Sequence, residues 1–358
     1  MMEHTTIYKD ENLYCAFPDI AKLESGELLV AFREAPRRKT ISHHDPQSRA
    51  VLVRSKDSGR TWGEKTAIYA DEDGVQDPSI MQLKDGALLS NFFKWRFRKN
   101  REDLEGSGQV YDVSSLGFPE GGWTADIGTF VVRSEDSGRT WDKIPSHFEI
   151  AGHKAISTSS PALELTGGTI LLPVYSQPVT SGSEMTRPSP SFVMRSRDKG
   201  KTWAEPALIA EDQEGKAALE EPALVRLKSG KIICMMRADS GGGDLLRQAE
   251  SSDNGKTWAK FWETPIMGHP PHLLQLTDGR ILCTYGYRHK PFGIRASLSS
   301  DEGRTWDLKN EIIIRDDGMH TDLGYPSSAE IGPGRVLTAY YFHDEKGTRF
   351  IAGTFFKI

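Results

Sequence analysis

Cysteine is scarce in this sequence. The 358 residues include only three cysteines, Cys15, Cys234 and Cys283, an odd number spread widely along the chain. No CxxC motif or His/Cys cluster indicates zinc, so we expect neither a metal nor another cofactor. Cys234 and Cys283 fall inside apolar, strand-like runs, where a cysteine usually packs as a small hydrophobic residue. This pattern favours a reduced, cytoplasmic protein.

Membrane-directed segments and an excess of one charge are also missing. The first residues, MMEHTTIYKDENLYC, contain neither the basic nor the apolar region of a secretory signal, so none is expected. No apolar run approaches the roughly 18 residues of a membrane-spanning helix. The net charge is only −5, so we expect no general attraction to nucleic acid or to anionic membranes.

Turn residues, in contrast, are abundant and form a repeat. Five segments follow the pattern Ser-x-Asp-x-Gly-[Arg/Lys]-Thr-Trp, which we call the Asp turn: SKDSGRTW (55–62), SEDSGRTW (134–141), SRDKGKTW (196–203), SSDNGKTW (251–258) and SSDEGRTW (299–306). The Asp can accept bonds from amides of its own turn, the Gly can adopt a positive φ, and the Trp can anchor the hairpin.

A second repeat alternates with the first. Six segments combine a proline, a short strand, a glycine turn and an apolar strand, with turn glycines Gly26, Gly86, Gly168, Gly230, Gly279 and Gly334. Each unit supplies four strands, and the last lacks its Asp turn, which leaves room for ring closure by a terminal strand. The sequence therefore predicts an all-β, six-bladed β-propeller forming one domain over residues 1–358.

This topology assigns residues to two faces. With strands A to D in each blade, the Gly turns and Asp turns share one face, so the Asp turns are predicted to be structural. The opposite face receives the residues before strand A, the ends of strand B and the B–C loops. Acids, arginines, histidines and aromatics meet there, which suits a polar, sugar-sized ligand. The predicted ligand-binding residues are Arg33, His44, Asp77, Trp95, Arg237, His269, Arg288 and Arg295, and Arg187 is assigned to a loop on the same face.

The repeats and four single residues resemble the sialidase superfamily, whose six-bladed propellers carry repeated Asp turns. Asp45, ten residues before the first Asp turn, matches the family's general acid/base. Glu221 in EPALVRLKSGKIICMMR and Tyr325 in GYPSSAEI match its glutamate and its nucleophilic tyrosine. Arg237 matches one of three arginines that hold the substrate carboxylate. The resemblance implies a glycosidase in which Glu221 activates the phenol of Tyr325. Asp45 would act first as an acid that protonates the leaving oxygen and then as a base.

Two family positions differ in this chain. Ala16 occupies the place of the first arginine and Phe292 that of the third, with Arg33, Arg288 and Arg295 nearby. Alanine cannot form the two hydrogen bonds with which a bidentate arginine holds a carboxylate. We therefore expect low activity on common N-acetylneuraminic acid conjugates and better activity on another sugar, acidic or neutral.

The sequence thus predicts a sialidase-like exo-glycosidase that removes a terminal, acidic or sialic-acid-like sugar from a glycoconjugate or oligosaccharide. Two alternatives remain open. One is a non-catalytic propeller that binds a glycan or protein through the same mouth. The other is a polysaccharide lyase that uses a tyrosine or a histidine, His44 or His269, as its base.

Overall fold

Six antiparallel sheets surround a central axis. The computed structural model of the protein describes residues 2–179, 188–240 and 244–358, and Arg187 lies outside them. The innermost strands of neighbouring sheets contact each other, and each sheet is one blade. The predicted all-β, six-bladed β-propeller is confirmed.

The blades follow chain order, each written here from the axis outward. Blade 1 contains β2 (Leu13–Lys22), β3 (Leu28–Pro36), β4 (Arg49–Ser55) and β5 (Thr66–Tyr69). Blade 2 contains β6 (Gly74–Gln82), β7 (Leu88–Arg98), β9 (Trp123–Ser134) and β10 (Ser146–His147), and β8 (Val110–Asp112) pairs with β9. Blade 3 contains β11 (His153–Ser157), β13 (Ile170–Pro178), β14 (Ser191–Ser196) and β15 (Ala204–Ala210), and β12 (Leu163–Glu164) pairs with β13.

The second half of the ring repeats this order. Blade 4 contains β16 (Ala217–Arg226), β17 (Ile232–Ser240), β18 (Leu245–Ser251) and β19 (Trp262–Met267). Blade 5 contains β20 (Pro271–Gln275), β21 (Ile281–Tyr287), β22 (Phe292–Ser299) and β23 (Ile312–Gly318). Blade 6 contains β24 (Gly324–Gly332), β25 (Arg335–His343), β26 (Arg349–Lys357) and β1 (Glu3–Tyr8).

The ring is closed by β1. Although it begins the described chain, it pairs with β26 at the end of the chain, for example His4 with Thr354. This is the predicted use of a terminal strand in the unit that lacks an Asp turn. Closure in this way leaves blade 6 with its full set of four strands and joins the two chain ends by main-chain hydrogen bonds.

Two sheets have five strands instead of the predicted four. In blade 3, β11 and β12 are two pieces of one inner strand, and both pair with β13. In blade 2, the long B–C connection (residues 99–122, the blade 2 insertion) carries β8 and two short 3-10 helices, Arg101–Leu104 and Ser114–Leu116. No helix in the described ranges is long and apolar enough to cross a membrane.

Facing apolar surfaces of adjacent blades form the core. Between blades 6 and 1, for example, Val30 and Phe32 of β3 pack with Leu337 and Tyr341 of β25. The blade 2 insertion has a small core of its own around Phe97, Val113 and Phe118. Alternating strand residues thus fill the spaces between blades, while the axis is left to polar residues and prolines.

The Asp turns form the predicted internal bonds. In the first turn the Oγ of Ser55 accepts from the Gly59 amide at 2.8 Å, and Asp57 accepts from the amide and hydroxyl of Thr61 at 2.9 and 2.6 Å. The other four turns repeat these contacts. These bonds lower the pKa of Asp57 to about 2. Each Asp turn is therefore a structural clasp.

Gly59→Ala is expected to lower the melting temperature more than Gly26→Ala. The two glycines have φ of +89° and +87°, so both substitutions carry a similar backbone strain. A Cβ at residue 59 would lie 2.5 Å from Cδ2 of buried Leu337, whereas a Cβ at residue 26 meets no described atom within 4 Å. Overpacking of this kind typically costs about 1–3 kcal/mol. Equal melting temperatures of the two variants by calorimetry would contradict this role of Gly59.

Candidate active site

The inner strands are interrupted at the residues that precede their prolines. In β2, β6, β16 and β24 the pairing register skips past an X-Pro pair. The X residues are Phe17, Asp77, Glu221 and Tyr325, with φ of 55°, 47°, 50° and 49°. Proline has no amide hydrogen to lose, so a bulge is tolerated there. Left-handed backbone at bulky residues is strained, and such strain concentrates at functional sites.

The bulges of blades 4 and 6 bring Glu221 and Tyr325 together. The Tyr325 hydroxyl donates a hydrogen bond to Oε1 of Glu221. The Phe17 ring supports the Tyr325 ring edge-on, with 4.7 Å between the ring centroids. Burial, followed by the charges of Glu221 and Asp77, raises the pKa of Tyr325 well above its usual value. The phenol is therefore neutral at ordinary pH and has a base in direct contact.

Two arginines flank this pair. Nη1 of Arg237 donates to Oε2 of Glu221 at 3.3 Å, and its Nε donates to Asp239 at 2.9 Å. The Arg288 guanidinium carbon lies 5.9 Å from the centre of the Tyr325 ring. Nε of Arg288 donates to the Leu323 carbonyl at 3.3 Å, and its buried Nη2 has no hydrogen-bond partner in the described part of the chain. Both arginines offer N–H groups suited to a carboxylate.

Arg33 lies on the other side of the mouth. It stands directly across the β2–β3 ladder from Ala16 and is fully buried. Its Nε donates to the Val75 carbonyl at 3.2 Å and Nη2 to the His43 carbonyl at 2.8 Å. Nη1 is buried and bonds to none of the described atoms. Burial lowers the pKa of Arg33, while Tyr14, Asp45 and Asp77 act in the opposite direction.

Asp77 provides a second acid at the axis. Its side chain is buried, and Oδ1 finds no hydrogen-bond donor within residues 2–179, 188–240 and 244–358. Burial and the charge of Glu221 raise its pKa well above the usual value. It lines a narrow axial cavity together with Phe17 and Tyr325. A protonated Asp77 can donate a hydrogen bond to a sugar hydroxyl.

Asp45 is close to Arg33 but is held by a residue that the sequence analysis did not select. Oδ2 of Asp45 accepts from Nε of Arg38 at 2.9 Å and Oδ1 accepts from Nη2 at 3.2 Å. Oδ1 also accepts from the Gln47 amide at 2.9 Å. The carboxylate is almost completely buried, and none of its described hydrogen bonds goes to Tyr325 or Glu221.

Aromatic rings form one wall of the mouth. His44 lies 4.3 Å from Trp95 and 5.6 Å from Tyr111, measured between ring centroids. Tyr111 comes from the blade 2 insertion and was not predicted; only the unusual length of that loop signals it. Burial lowers the pKa of His44 to about 4 and that of His269, across the mouth, to about 3. Both histidines are therefore neutral at ordinary pH.

Arg295 does not join these residues. Its Nη1 donates to Glu311 at 2.6 Å, and its guanidinium carbon lies 3.5 Å from the centre of the Tyr287 ring. The strand bounds explain this difference. Arg295 lies inside β22, whereas Arg288 comes directly after β21 ends, at the mouth. The predicted substrate role of Arg295 is therefore not supported by its placement.

Asp322 is a second residue that the sequence analysis did not select. It accepts from the hydroxyls of Tyr14 and Tyr341 at 3.0 Å each, from Nε of Arg349 at 2.9 Å, and contacts Nε2 of His43 at 3.2 Å. Burial opposes its ionisation, but these partners hold its pKa below the usual value. Asp322 thus ties the loop of Asp45 to the strand that carries Tyr325.

A large surface cavity lies elsewhere. It has a volume of about 1090 Å³ and is lined by residues of blades 3 and 4 such as Leu208, Trp258 and Phe261. It contains none of the predicted site residues. Within the described residues, no group of three or more His, Cys, Asp or Glu side chains is arranged to hold a metal ion.

The family model described as BNR repeat-like domain matches residues 107–337. The chain belongs to this BNR repeat-like domain family, within the sialidase superfamily. A sialidase of Bacteroides fragilis (strain YCH46) is 24% identical over 227 residues, which are 58% of this chain and 37% of that protein. The chain therefore spans well under two thirds of this relative.

Solved structures share the propeller. A crystal structure of a protein of unknown function from Dyadobacter fermentans DSM 18053 is 34% identical, with a TM-score of 0.86, covering 99% of this chain and 98% of that one. An intramolecular trans-sialidase from Ruminococcus gnavus, in complex with oseltamivir carboxylate, is 14% identical with a TM-score of 0.68, covering 99% and 96%. At this low identity, the second likeness shows the fold alone.

Proposed function

We propose that the protein is an exo-acting glycoside hydrolase that removes a terminal acidic sugar from a glycoconjugate or oligosaccharide. The hydrogen bond from Tyr325 to Glu221, flanked by Arg237 and Arg288, is the observation that carries this proposal. A phenol needs a neighbouring base to become a nucleophile, and Glu221 is in contact with it. The two arginines suit a carboxylate on the reacting sugar.

The reaction takes two steps. Tyr325 Oη attacks the anomeric carbon while Glu221 takes the phenol proton, and Asp45 gives a proton to the leaving oxygen as its bond to carbon breaks. Asp45 then takes a proton from water, whose oxygen attacks the same carbon. The bond to Tyr325 breaks, and Glu221 returns the proton to the phenol. The sugar leaves with its original anomeric configuration.

Recognition of the sugar follows from the same geometry. Arg237 and Arg288 bind its carboxylate. Asp77 and Arg33 bind hydroxyl groups on the opposite side, because Oδ1 of Asp77 and Nη1 of Arg33 have no hydrogen-bond partner in the described ranges. Trp95 and Tyr111 stack on its apolar face, beside His44. The lyase alternative would use Tyr325 or a histidine as its base, and it differs from hydrolysis in the product that it releases.

The proposal is tested by a hydrolysis screen over aryl glycosides of neutral sugars, uronic acids and sialic acids, together with natural oligosaccharides. Release of a free acidic sugar supports a hydrolase. An unsaturated product, detected by its ultraviolet absorbance, would instead identify a lyase. Binding of sugars without any product would identify a non-catalytic propeller.

Glu220→Gln is expected to remove an ionisation from the pH profile of kcat/KM. Burial and the charge of Glu221 raise the pKa of Glu220 to about 7. As the pH rises through this value, Glu220 gains a negative charge beside Glu221 and repels an acidic sugar. The wild-type kcat/KM should therefore fall above about pH 7, and the variant should lack this fall. An identical fall in both proteins would contradict the assignment.

A further inference from the structure

A cationic cavity lies beside Asp45 and is not used in the mechanism above. Its volume is about 160 Å³, and Asp45 is the sole acid among the described residues that line it. Three segments line this cavity: the start of β2, the end of β3 with the loop that follows it, and the turn before β26. Five basic residues line it: Arg37, Arg38, Lys39, Lys346 and Arg349.

The positive charge of this cavity is only partly neutralised by described carboxylates, since Arg38 pairs with Asp45. Arg349 pairs with Asp322 at 2.9 Å, and Lys346 lies 3.6 Å from Glu11. Arg37 donates only to neutral oxygens, the Glu11 and Lys346 carbonyls and the Thr348 hydroxyl. Neither Arg37 nor Lys39 forms an ion pair with any described carboxylate. The cavity therefore favours an anion.

The leaving group must pass through this region. In the proposed reaction Asp45 protonates the leaving oxygen, so the group beyond that oxygen lies on the Asp45 side of the sugar. Because Asp45 lines the cationic cavity, that group enters it. Arg38 is only partly buried, with 34% of its side chain exposed, and is accessible to such a group.

Arg38 also restricts Asp45. Both carboxylate oxygens accept from its guanidinium, and Gln47 Oε1 accepts from the same Nη2 at 3.2 Å. Each carboxylate oxygen keeps a second lone pair, but the two contacts with Arg38 hold the carboxyl group of Asp45 in one orientation. Opening of this ion pair frees the carboxyl group to turn towards the leaving oxygen.

We propose that the cationic cavity binds an anionic group, a carboxylate or a phosphate, on the leaving part of the substrate, and that Arg38 determines this specificity. The anion takes over the Arg38 N–H groups and so releases Asp45 for proton transfer. This inference rests on the proposed function. It predicts a preference for substrates in which an acidic sugar is linked to a second acidic unit.

The test compares glycosides of one acidic sugar whose leaving phenols differ in charge. The leaving groups are 4-hydroxyphenylacetate, 4-hydroxybenzylphosphonate and the neutral 4-hydroxyphenylacetamide, which are phenols of similar acidity. We expect kcat/KM to be roughly 10- to 100-fold higher for the anionic pair than for the amide. The ratio between carboxylate and phosphonate then identifies the preferred anion.

Arg38→Gln is expected to reduce the preference for the anionic leaving groups to about onefold, whereas Arg101→Gln, in the blade 2 insertion outside the cavity, should retain it. Because exposed charges are screened by salt, the wild-type preference should also fall as KCl is raised, which tests the idea without any variant. Equal wild-type rates on all three glycosides, or a preference that survives Arg38→Gln, would overturn this inference alone. Failure to hydrolyse any glycoside in the wider screen would overturn the proposed function and this inference with it.

Discussion

Tyr325→Phe is expected to lower kcat by at least about 10³-fold on every substrate that the wild type hydrolyses. The substitution removes one oxygen atom, the one that donates to Glu221, and leaves the ring packed against Phe17. KM should change little, because the arginines that hold the sugar remain. Steady-state kinetics of the purified variant measure both values.

Glu221→Gln should have an effect of the same order. An amide cannot accept the phenol proton, so Tyr325 would remain a poor nucleophile. Because the two residues act as a unit, the double variant should be hardly slower than either single variant. Multiplied losses in the double variant would contradict the pairing and indicate independent roles.

Tyr285→Phe is the matched control for these losses. The Tyr285 hydroxyl also donates to a carboxylate, Glu311, at 2.6 Å, and its side chain is buried in blade 5. Removing this hydroxyl costs a comparable hydrogen bond outside the site. If Tyr285→Phe lowered kcat as much as Tyr325→Phe, destabilisation rather than lost chemistry would explain both results.

The fold could be predicted from the sequence because its signals repeat. The Asp turn and the proline–strand–Gly turn unit recur in nearly every blade. A blade whose own sequence is ambiguous can therefore be assigned from the other copies. The extra strand β8 could not be predicted, because the blade 2 insertion has no counterpart elsewhere. The insertion packs Val113 and Phe118 against Phe97 of β7, and these contacts occur in none of the repeated units.

The site was predictable where its residues occupy repeated positions. Asp77, Glu221 and Tyr325 each precede the proline of an inner strand, so the topology alone directs them to the mouth. Arg38 and Asp322 lie in loops instead, and their partners are set by loop conformation. Nothing in the spacing of Arg38 and Asp45 predicts a two-point ion pair. Arg295 differs from these loop residues, because it lies inside β22 and not at the mouth end of a strand.

The arginines now allow the choice of sugar to be argued from geometry. Arg237 and Arg288 both lie beside the Tyr325–Glu221 pair, so in the proposed function Arg288 takes over part of the carboxylate binding that an arginine at position 292 would provide. Arg33 stands across from Ala16, but its Nε and Nη2 already donate to the carbonyls of Val75 and His43. In the proposed function, a substrate carboxylate thus meets two arginines, not three.

Arg288→Met is expected to raise KM for an acidic aryl glycoside by roughly 10- to 100-fold, since a hydrogen bond to a charged group is worth about 1.5–3 kcal/mol. The matched neutral glycoside, in which an amide replaces the sugar carboxylate, should show a change of less than about threefold. Arg295→Met is the control, because Arg295 is also partly buried but pairs with Glu311. An equal effect on the acidic and neutral glycosides would indicate a structural role for Arg288.

The proposed two-arginine site is expected to limit activity on common sialic acids. Without the third charge-assisted contact, an aryl N-acetylneuraminide should be bound roughly tenfold or more weakly than by a three-arginine site. Its kcat/KM should therefore stay below about 10⁴ M⁻¹s⁻¹, and another acidic sugar should exceed it, because Asp77 and Arg33 are placed to read hydroxyl groups. The measurement is kcat/KM for the aryl N-acetylneuraminide and for the aryl glycoside of the other acidic sugar under the same conditions. A higher efficiency on the N-acetylneuraminide than on every other sugar would show that two arginines suffice and that the hydroxyl contacts do not set the preference.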